Sequence, residues 1–549
     1  MAFEIDHDWQ GNLATPRARI GTSAKTHLLI VLCAIWICLG LIGHEPWKPN
    51  ESNSISVIKN IIEGHYISPI AVGESTITNP PLYYLSAAFF AKILSPVFSM
   101  HDAARIASGF WMALTLLVTG MIGRELWGEG LGRQNTFLLL SSIGLVATAH
   151  MLMPEVAALT GTAMAFYALA LAKRRPFRAS ALLGFGVGIS FLSTGLLTAS
   201  ISIITALLLP LFFKAWRSKS FATVLGLSAL IATPWLAAWP LLMWYQHPEN
   251  LALWWQTQSQ FNQAHHLYFL RTLGWFAWPA LPIAGWGLWR FRSQLLIKPK
   301  FQLILTYFVV AFALIGMQVN TIDVDALTLL IPLVAMAGGS TETLKRGAAG
   351  ALNWFGLMLF GLMGLLIWLG WIAITTGHPA KLASRMHLLS GLDQLHTSIP
   401  ALILAVATTA IWIITIRNKR SNRAAVTDWA VGVTMAWSLL MALWLPMIDS
   451  AKSYKSVMLS LQKSLPRKTA CINSRGVGQP QQALLDYYTD LRLSPIKNDE
   501  PSNCGFMLVQ HTRSGQATDP TEGWTLIWEG KRPADRHEYF KLYKKSSSN

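Results

Sequence analysis

Apolar runs long enough to cross a bilayer, separated by short clusters of Lys and Arg, are the feature that leaves this chain the fewest choices. Lipid offers a backbone no hydrogen-bonding partner, so a crossing segment is a helix of about 20 apolar residues. Such runs, some of them short, fall near 27–43, 106–122, 135–149, 156–172, 179–197, 199–213, 221–243, 272–289, 301–318, 326–339, 352–374, 400–416 and 427–446. Alternate connections are basic, with Arg124 and Arg133, then Lys173 to Arg178, Lys214 to Lys219, Arg290 to Lys300, Lys345 and Arg346, and Arg417 to Arg423. The connections at 150–155 and 319–325 carry no Lys or Arg. Basic residues gather on the cytoplasmic side of membrane proteins. The pattern predicts an all-α polytopic protein of the bacterial inner membrane with about thirteen spans. Residues 1–26 are then a cytoplasmic segment, 27–449 the membrane domain and 450–549 a periplasmic tail.

Composition agrees. The chain is 52% hydrophobic and 13% charged, where a soluble domain carries roughly a quarter charged residues. Its 24 Trp residues suit many helix ends at lipid–water interfaces. The net charge of +17 is accounted for by the loop clusters. No soluble segment presents a basic face with interleaved aromatics, which argues against nucleic acid as a partner. The first apolar run has no small-residue cleavage site after it and reads as a signal anchor.

One apolar run does not fit as a span. Counting 82–98 as a crossing would invert every later loop, so it is expected to lie in the interface with Lys92 snorkelling. The first periplasmic loop then covers 44–104. It contains a second helix at 51–63, where Ile55, Ile58 and Ile62 recur at helical spacing and Gly64 is a C-cap candidate. The tail changes to a soluble composition. It predicts a small α/β domain with helices at 453–465 and 480–491 and strands at 470–473, 506–510, 524–528 and 539–542. Cys471 and Cys504 in that tail are either a disulfide or two buried thiols.

Ionisable groups at the outer helix ends are the candidates for chemistry, since they are costly near lipid. The first loop offers Glu45, Glu51, Glu63, Glu74 and Asp102. His150 and Glu155 follow the third span, and Asp323 and Asp325 follow the ninth, where they either cap the next span or face water. The loop after the seventh span carries Glu249, Gln256, Gln258, Asn262, His265, His266 and Arg271. His265 and His266 are weak metal candidates, because no ligand-spaced partner accompanies them. An acid in an external loop is as often merely solvated.

The stretches PNESNSISVIKNIIEGHYISP, TNPPLYYLSAAFFAKIL and DAARIASGFWMAL resemble the opening of the GT-C glycosyltransferases. The similarity is to the bacterial branch of aminoarabinose transferases of lipid A and protein O-mannosyltransferases. It covers about residues 44–300 with motifs. The resemblance implies transfer of a sugar from a polyprenyl-phosphate-linked donor to a lipid or protein hydroxyl, with an acid in the first loop as general base. The family's catalytic Asp falls on Asn50, and the Glu after it on Glu51. The Glu-Lys before its proline pair falls on Thr78 and Asn79, with Pro80, Pro81, Leu82 and Tyr83 kept. The acid after the third span is Glu155, and a Lys common in relatives is Thr194.

Three readings follow. The first is an active transferase in which Glu51 or Glu155 is the base, Asn50 orients the acceptor, and Asn79, Pro80, Tyr83, His150 and Arg271 line the substrate site, with Arg271 or Lys48 meeting the phosphate. The second is a non-catalytic relative that binds the lipid or partners an active transferase. The third is a transporter, disfavoured because no inverted repeat is visible. The sequence points to no definite cofactor, and assistance by a divalent metal stays open.

Overall fold

The structure is a computed structural model that describes residues 22–74, 77–260, 265–319, 321–392, 398–416, 421–466, 471–496, 504–513, 518–520, 523–533 and 535–546. Arg17, Arg19, Asn262, Arg417, Lys419 and Arg420 lie outside these residues.

Helices α1 (Thr22–Cys38), α2 (Asn50–Ile62) and α3 (Leu82–Leu94) precede the long α4 (Met100–Trp127). At 28 residues, α4 begins well before the expected 106 and ends where Gly128 adopts φ +89°. Ser99 caps its start by accepting from the Asp102 N–H. By contrast, α3 has 13 residues, too short to cross about 30 Å of hydrocarbon alone. Two expected spans are each broken in two. Residues 135–149 fall on α5 (Leu131–Leu140) and α6 (Ile143–Thr148).

The next helices are α7 (Pro154–Leu171), α8 (Pro176–Thr194), α9 (Leu196–Phe212), α10 (Lys219–Gln246) and α11 (Pro248–Gln258). The second broken span, 272–289, falls on α12 (His266–Phe276) and α13 (Ala280–Arg290), which meet at Pro279. Then come α14 (Pro299–Ile315), α15 (Leu327–Ser340), α16 (Arg346–Thr376), α17 (Ala380–Ser390), α18 (Ile399–Ile416) and α19 (Asn422–Leu439). Among the described residues eight helices are long and apolar enough to cross a membrane, while α1, α9 and α14 are apolar but shorter.

Small residues let α7 and α8 close on each other. A Cβ on Gly161 would lie 2.7 Å from the Gly186 carbonyl oxygen, and one on Gly186 2.7 Å from that of Gly161. Backbones in such contact replace the hydrophobic drive that lipid removes. Of this pair, α7 carries Glu155 in its first turn.

Beyond the membrane helices, α20 (Leu445–Lys452), α21 (Lys455–Ser464) and α22 (Gln479–Thr489) accompany a five-stranded sheet. Its strands are β1 (Ile472–Arg475), β2 (Leu493–Pro495), β3 (Phe506–His511), β4 (Trp524–Gly530) and β5 (Tyr539–Lys545), in the order β2-β1-β3-β5-β4. The pairs β1–β2 and β1–β3 are parallel, and β3–β5 and β4–β5 antiparallel. Cys471 and Cys504, which precede β1 and β3, form a disulfide that closes 33 residues of sequence. Cys471→Ser is expected to cost the sheet unit about 2–4 kcal/mol. Protease resistance of residues 471–545 in the oxidised protein measures this, and no change in the variant would contradict it.

The sheet unit is clamped to the first loop by charge. Lys59 Nζ lies 3.1 Å from Asp486 and 2.6 Å from Asp490 at the end of α22. Glu45 takes Lys455 at 2.7 Å and the Tyr488 hydroxyl at 3.0 Å. Buried Glu538 takes Lys48 at 2.8 Å, Gln481 and Gln510 at 2.6 Å, and Arg532 at 3.1 Å. Burial alone would raise the carboxyls of Glu45 and Glu538, but these donors outweigh it and hold both below the ordinary carboxylate range. A depressed folded value means stability that is present at neutral pH and lost as pH falls through that value. The docking should therefore hold at pH 7 and loosen below about pH 4. Hydrogen exchange of α2 and α22, corrected for intrinsic rates, should rise there. Unchanged protection would contradict it.

Candidate active site

The turn before α7 is fixed from three sides. Tyr83 donates to Ser108 at 2.6 Å, Ser108 donates to the Met151 carbonyl at 2.7 Å, and the Met153 N–H donates to the Tyr83 oxygen at 3.0 Å. The Leu152 N–H donates to Glu51 at 3.2 Å. Pro154 then opens α7 at a position that needs no N–H, and Glu155 follows at the positive end of the helix.

The two expected acids part company here. Glu51 is fully buried, and Arg105 grips it with Nε at 2.7 Å from Oε1 and Nη2 at 3.3 Å from Oε2. The Trp47 N–H adds a bond to Oε2 at 3.0 Å. Burial would raise the Glu51 carboxyl, and Arg105 outweighs it and holds it low. Arg105 in turn spends its remaining N–H groups on Asp102 and the carbonyls of His44 and Glu45. Glu51 is thus an ion-pair partner that ties α2, α4 and the α7 turn together. Glu155 differs: its Oε2 is buried and has no hydrogen-bond partner. A lone buried carboxylate oxygen costs stability, so its presence in a fold calls for an explanation, of which a role in chemistry is one.

Around Glu155 stand groups from three parts of the chain. Asp325, in the single turn Asp323–Ala326 before α15, lies within its electrostatic reach, as does Tyr84 of α3. Burial, then the negative field of Glu155, pushes the Tyr84 phenol up, so it stays a proton donor. Asn79 and Ser54 lie beside Tyr84 and partly offset that rise. Glu74 accepts from Asn53 and Thr78, both at 2.9 Å. Asn50, exposed at the start of α2, touches the Met153 sulfur at 3.9 Å. Among the described residues no Lys or Arg forms an ion pair with Glu74, Glu155 or Asp325.

Other expected site residues are placed elsewhere. His150 meets the carbonyls of Val146 and Trp36 with its two ring nitrogens, at 2.5 and 2.6 Å, so neither nitrogen is open to a substrate. Tyr83 is buried and holds the turn, as above. Lys48 is committed to Glu538. Arg271 is exposed on α12, beside Thr272, which together with Tyr268 donates to Asp323 at 3.0 and 2.8 Å. His266 packs on Phe312, and the described residues hold no cluster of three ligands suited to a metal. Neither Asp323 nor Asp325 caps α15 through its side chain, and Glu74 and Asp102 are bonded rather than merely solvated.

Membrane helices, a helical acid-bearing first loop and a sheet unit clamped over that loop together have the GT-C fold. No protein-family model matches the chain. It is 24% identical over 361 residues to the undecaprenyl phosphate-alpha-4-amino-4-deoxy-L-arabinose arabinosyl transferase of Pseudomonas paraeruginosa, a match spanning 61% of this chain and 63% of that one. With the enzyme of the same name from Pseudomonas savastanoi it shares 24% over 440 residues, 76% of each chain. The crystal structure of ArnT from Cupriavidus metallidurans in the apo state superposes with a TM-score of 0.69 at 12% identity, covering 94% of this chain and 98% of that one. The same protein bound to undecaprenyl phosphate gives 0.68 at 12% identity, covering 95% and 98%. The chain is thus an integral membrane protein of the inner membrane with the fold of ArnT. None of these likenesses favours the non-catalytic alternative.

Proposed function

We propose that this protein transfers a sugar from a polyprenyl-phosphate donor to a hydroxyl of a lipid or protein acceptor at the periplasmic face. Glu155 takes the proton of the acceptor hydroxyl, whose oxygen attacks the anomeric carbon. The bond from that carbon to the phosphate oxygen breaks, and polyprenyl phosphate leaves with the electron pair. The observation that carries this reading is the buried Glu155 Oε2 with no partner, since a general base needs a free lone pair within reach of the proton. Asn50 orients the acceptor, Asn79 and Tyr84 supply donors, and Arg271 is the cation assigned to the departing phosphate. The orientation predicted from the loops, with 44–104 and 450–549 periplasmic, sets this site on the outer side.

The name of these relatives specifies 4-amino-4-deoxy-L-arabinose. A cluster of Glu155 and Asp325, with Glu74 beside Tyr84 and none of them paired to a cation among the described residues, suits a donor sugar that bears an ammonium group. The purified protein, given undecaprenyl-phosphate aminoarabinose and lipid A, should yield lipid A heavier by that sugar together with free undecaprenyl phosphate. Equal use of a neutral sugar donor would overturn the amino-sugar assignment. No transfer from any polyprenyl-phosphate sugar to lipid or protein would overturn the enzymatic reading.

A further inference from the structure

An open groove of about 410 Å³, which shares no lining residue with the cluster around Glu155, lies between α17 and the turn that precedes β5. Its lining includes Arg385, Leu388 and Leu389 of α17 and Arg532, Arg536 and His537 of the turn. The two elements are in tight contact, because a Cβ on Gly391, at the left-handed end of α17, would lie 2.3 Å from Pro533 Cβ.

The charges in this groove are unequal in their commitments. Arg532 is spent on Asp535, Glu538 and the Ala451 carbonyl, while its buried Nε has no partner. Asp535 is likewise spent, on Arg532 and on the N–H groups of His537 and Glu538. Arg385 and Arg536 are exposed and form no ion pair among the described residues. The groove therefore presents two unpaired guanidinium groups, with one compensated pair behind them.

Beside these cations the wall is apolar. Leu388 and Leu389 are 49% and 54% exposed. They lie on an 11-residue helix joining α16 and α18, two of the membrane-crossing candidates. Both neighbours face outward along their length, with 33% and 11% of their apolar windows buried. A short helix between two lipid-facing spans lies at the membrane surface, where leucines enter the acyl boundary and arginines meet headgroups.

We propose that this groove binds the phosphate headgroup of an anionic membrane lipid, gripped by Arg385 and Arg536 while its chains lie along Leu388 and Leu389. Guanidinium forks match phosphate oxygens two at a time. The apolar wall selects a phosphate carried on a lipid over a free one. Through Arg532 and Glu538 the groove is joined to Lys48, two residues before Asn50. This binding does not depend on the transfer reaction.

Full-length protein in detergent, titrated and read by native mass spectrometry, tests it. The ligands are dioleoylphosphatidylglycerol and dioleoylglycerol, with inorganic phosphate as competitor. The expected result is that wild type holds phosphatidylglycerol at least about tenfold more tightly than R385A/R536A, with an unchanged melting temperature. R536E alone, which puts a negative charge in the groove, should lose as much. Equal affinity in wild type and both variants would overturn the proposal. Equal binding of dioleoylglycerol would leave only an apolar groove and overturn the phosphate assignment. Displacement of lipid by an equal concentration of inorganic phosphate would overturn the lipid assignment.

Discussion

Glu155→Gln is expected to cut sugar transfer at least about a hundredfold, the lower end of what a general base contributes. Gln keeps the length and shape of the side chain and removes the basic oxygen, so the fold around α7 should persist. The single-turnover rate should fall while donor binding, read by equilibrium dialysis, stays within about twofold. A fall in binding with an unchanged rate would mean that Glu155 holds substrate and does not take its proton. Wild-type turnover in the variant would remove Glu155 from the chemistry.

Arg105→Ala should have the largest effect on the fold. It leaves Glu51 buried and unpaired, which costs about 3–5 kcal/mol, and it frees the carbonyls of His44 and Glu45. The variant chain should accumulate poorly and melt well below wild type in detergent. Arg105→Met combined with Glu51→Leu should recover much of that loss, since no stranded charge remains. A single variant as stable as wild type would show that the pair does not hold the first loop. Glu51→Gln should lower transfer only as far as it loosens the turn before α7. This separates the structural acid from the acid proposed as the base.

Much of the architecture was legible because lipid permits so few backbone solutions. Every expected span falls on helix, and the first-loop helices and the tail's strands fall near their predicted places. The breaks inside 135–149 and 272–289 were not legible as breaks. The run from Phe137 to Ala149 is almost wholly apolar, and hydropathy does not register the turn at Ser141 and Ser142. In the second run Pro279 was the available signal. The three-residue β2 is too short for periodicity to detect.

The site was legible by residue type and not by role. Asn50, Glu51, Asn79, Tyr83 and Glu155 do surround one region, but sequence gives no view of which partner satisfies which oxygen. Glu51 looked like a base because it follows Asn50. Its capture depends on Arg105, 54 positions away. Tyr84 and Asp325 reach Glu155 from separate segments; Asp325 was visible as an acid at an outer helix end, while the adjacency of Tyr84 to Tyr83 was the sole hint of Tyr84. His150 looked available beside Glu155, yet the carbonyls that occupy it belong to α1 and α6.

The measurement that bears most directly on the transferase account is mass spectrometry of envelope lipids and exported proteins from a deletion strain. The strain is complemented with wild type, Glu155→Gln or an empty vector, at matched protein abundance. The account predicts a sugar mass that disappears on deletion, returns with wild type and stays absent with Glu155→Gln. Return of that mass with Glu155→Gln would contradict it.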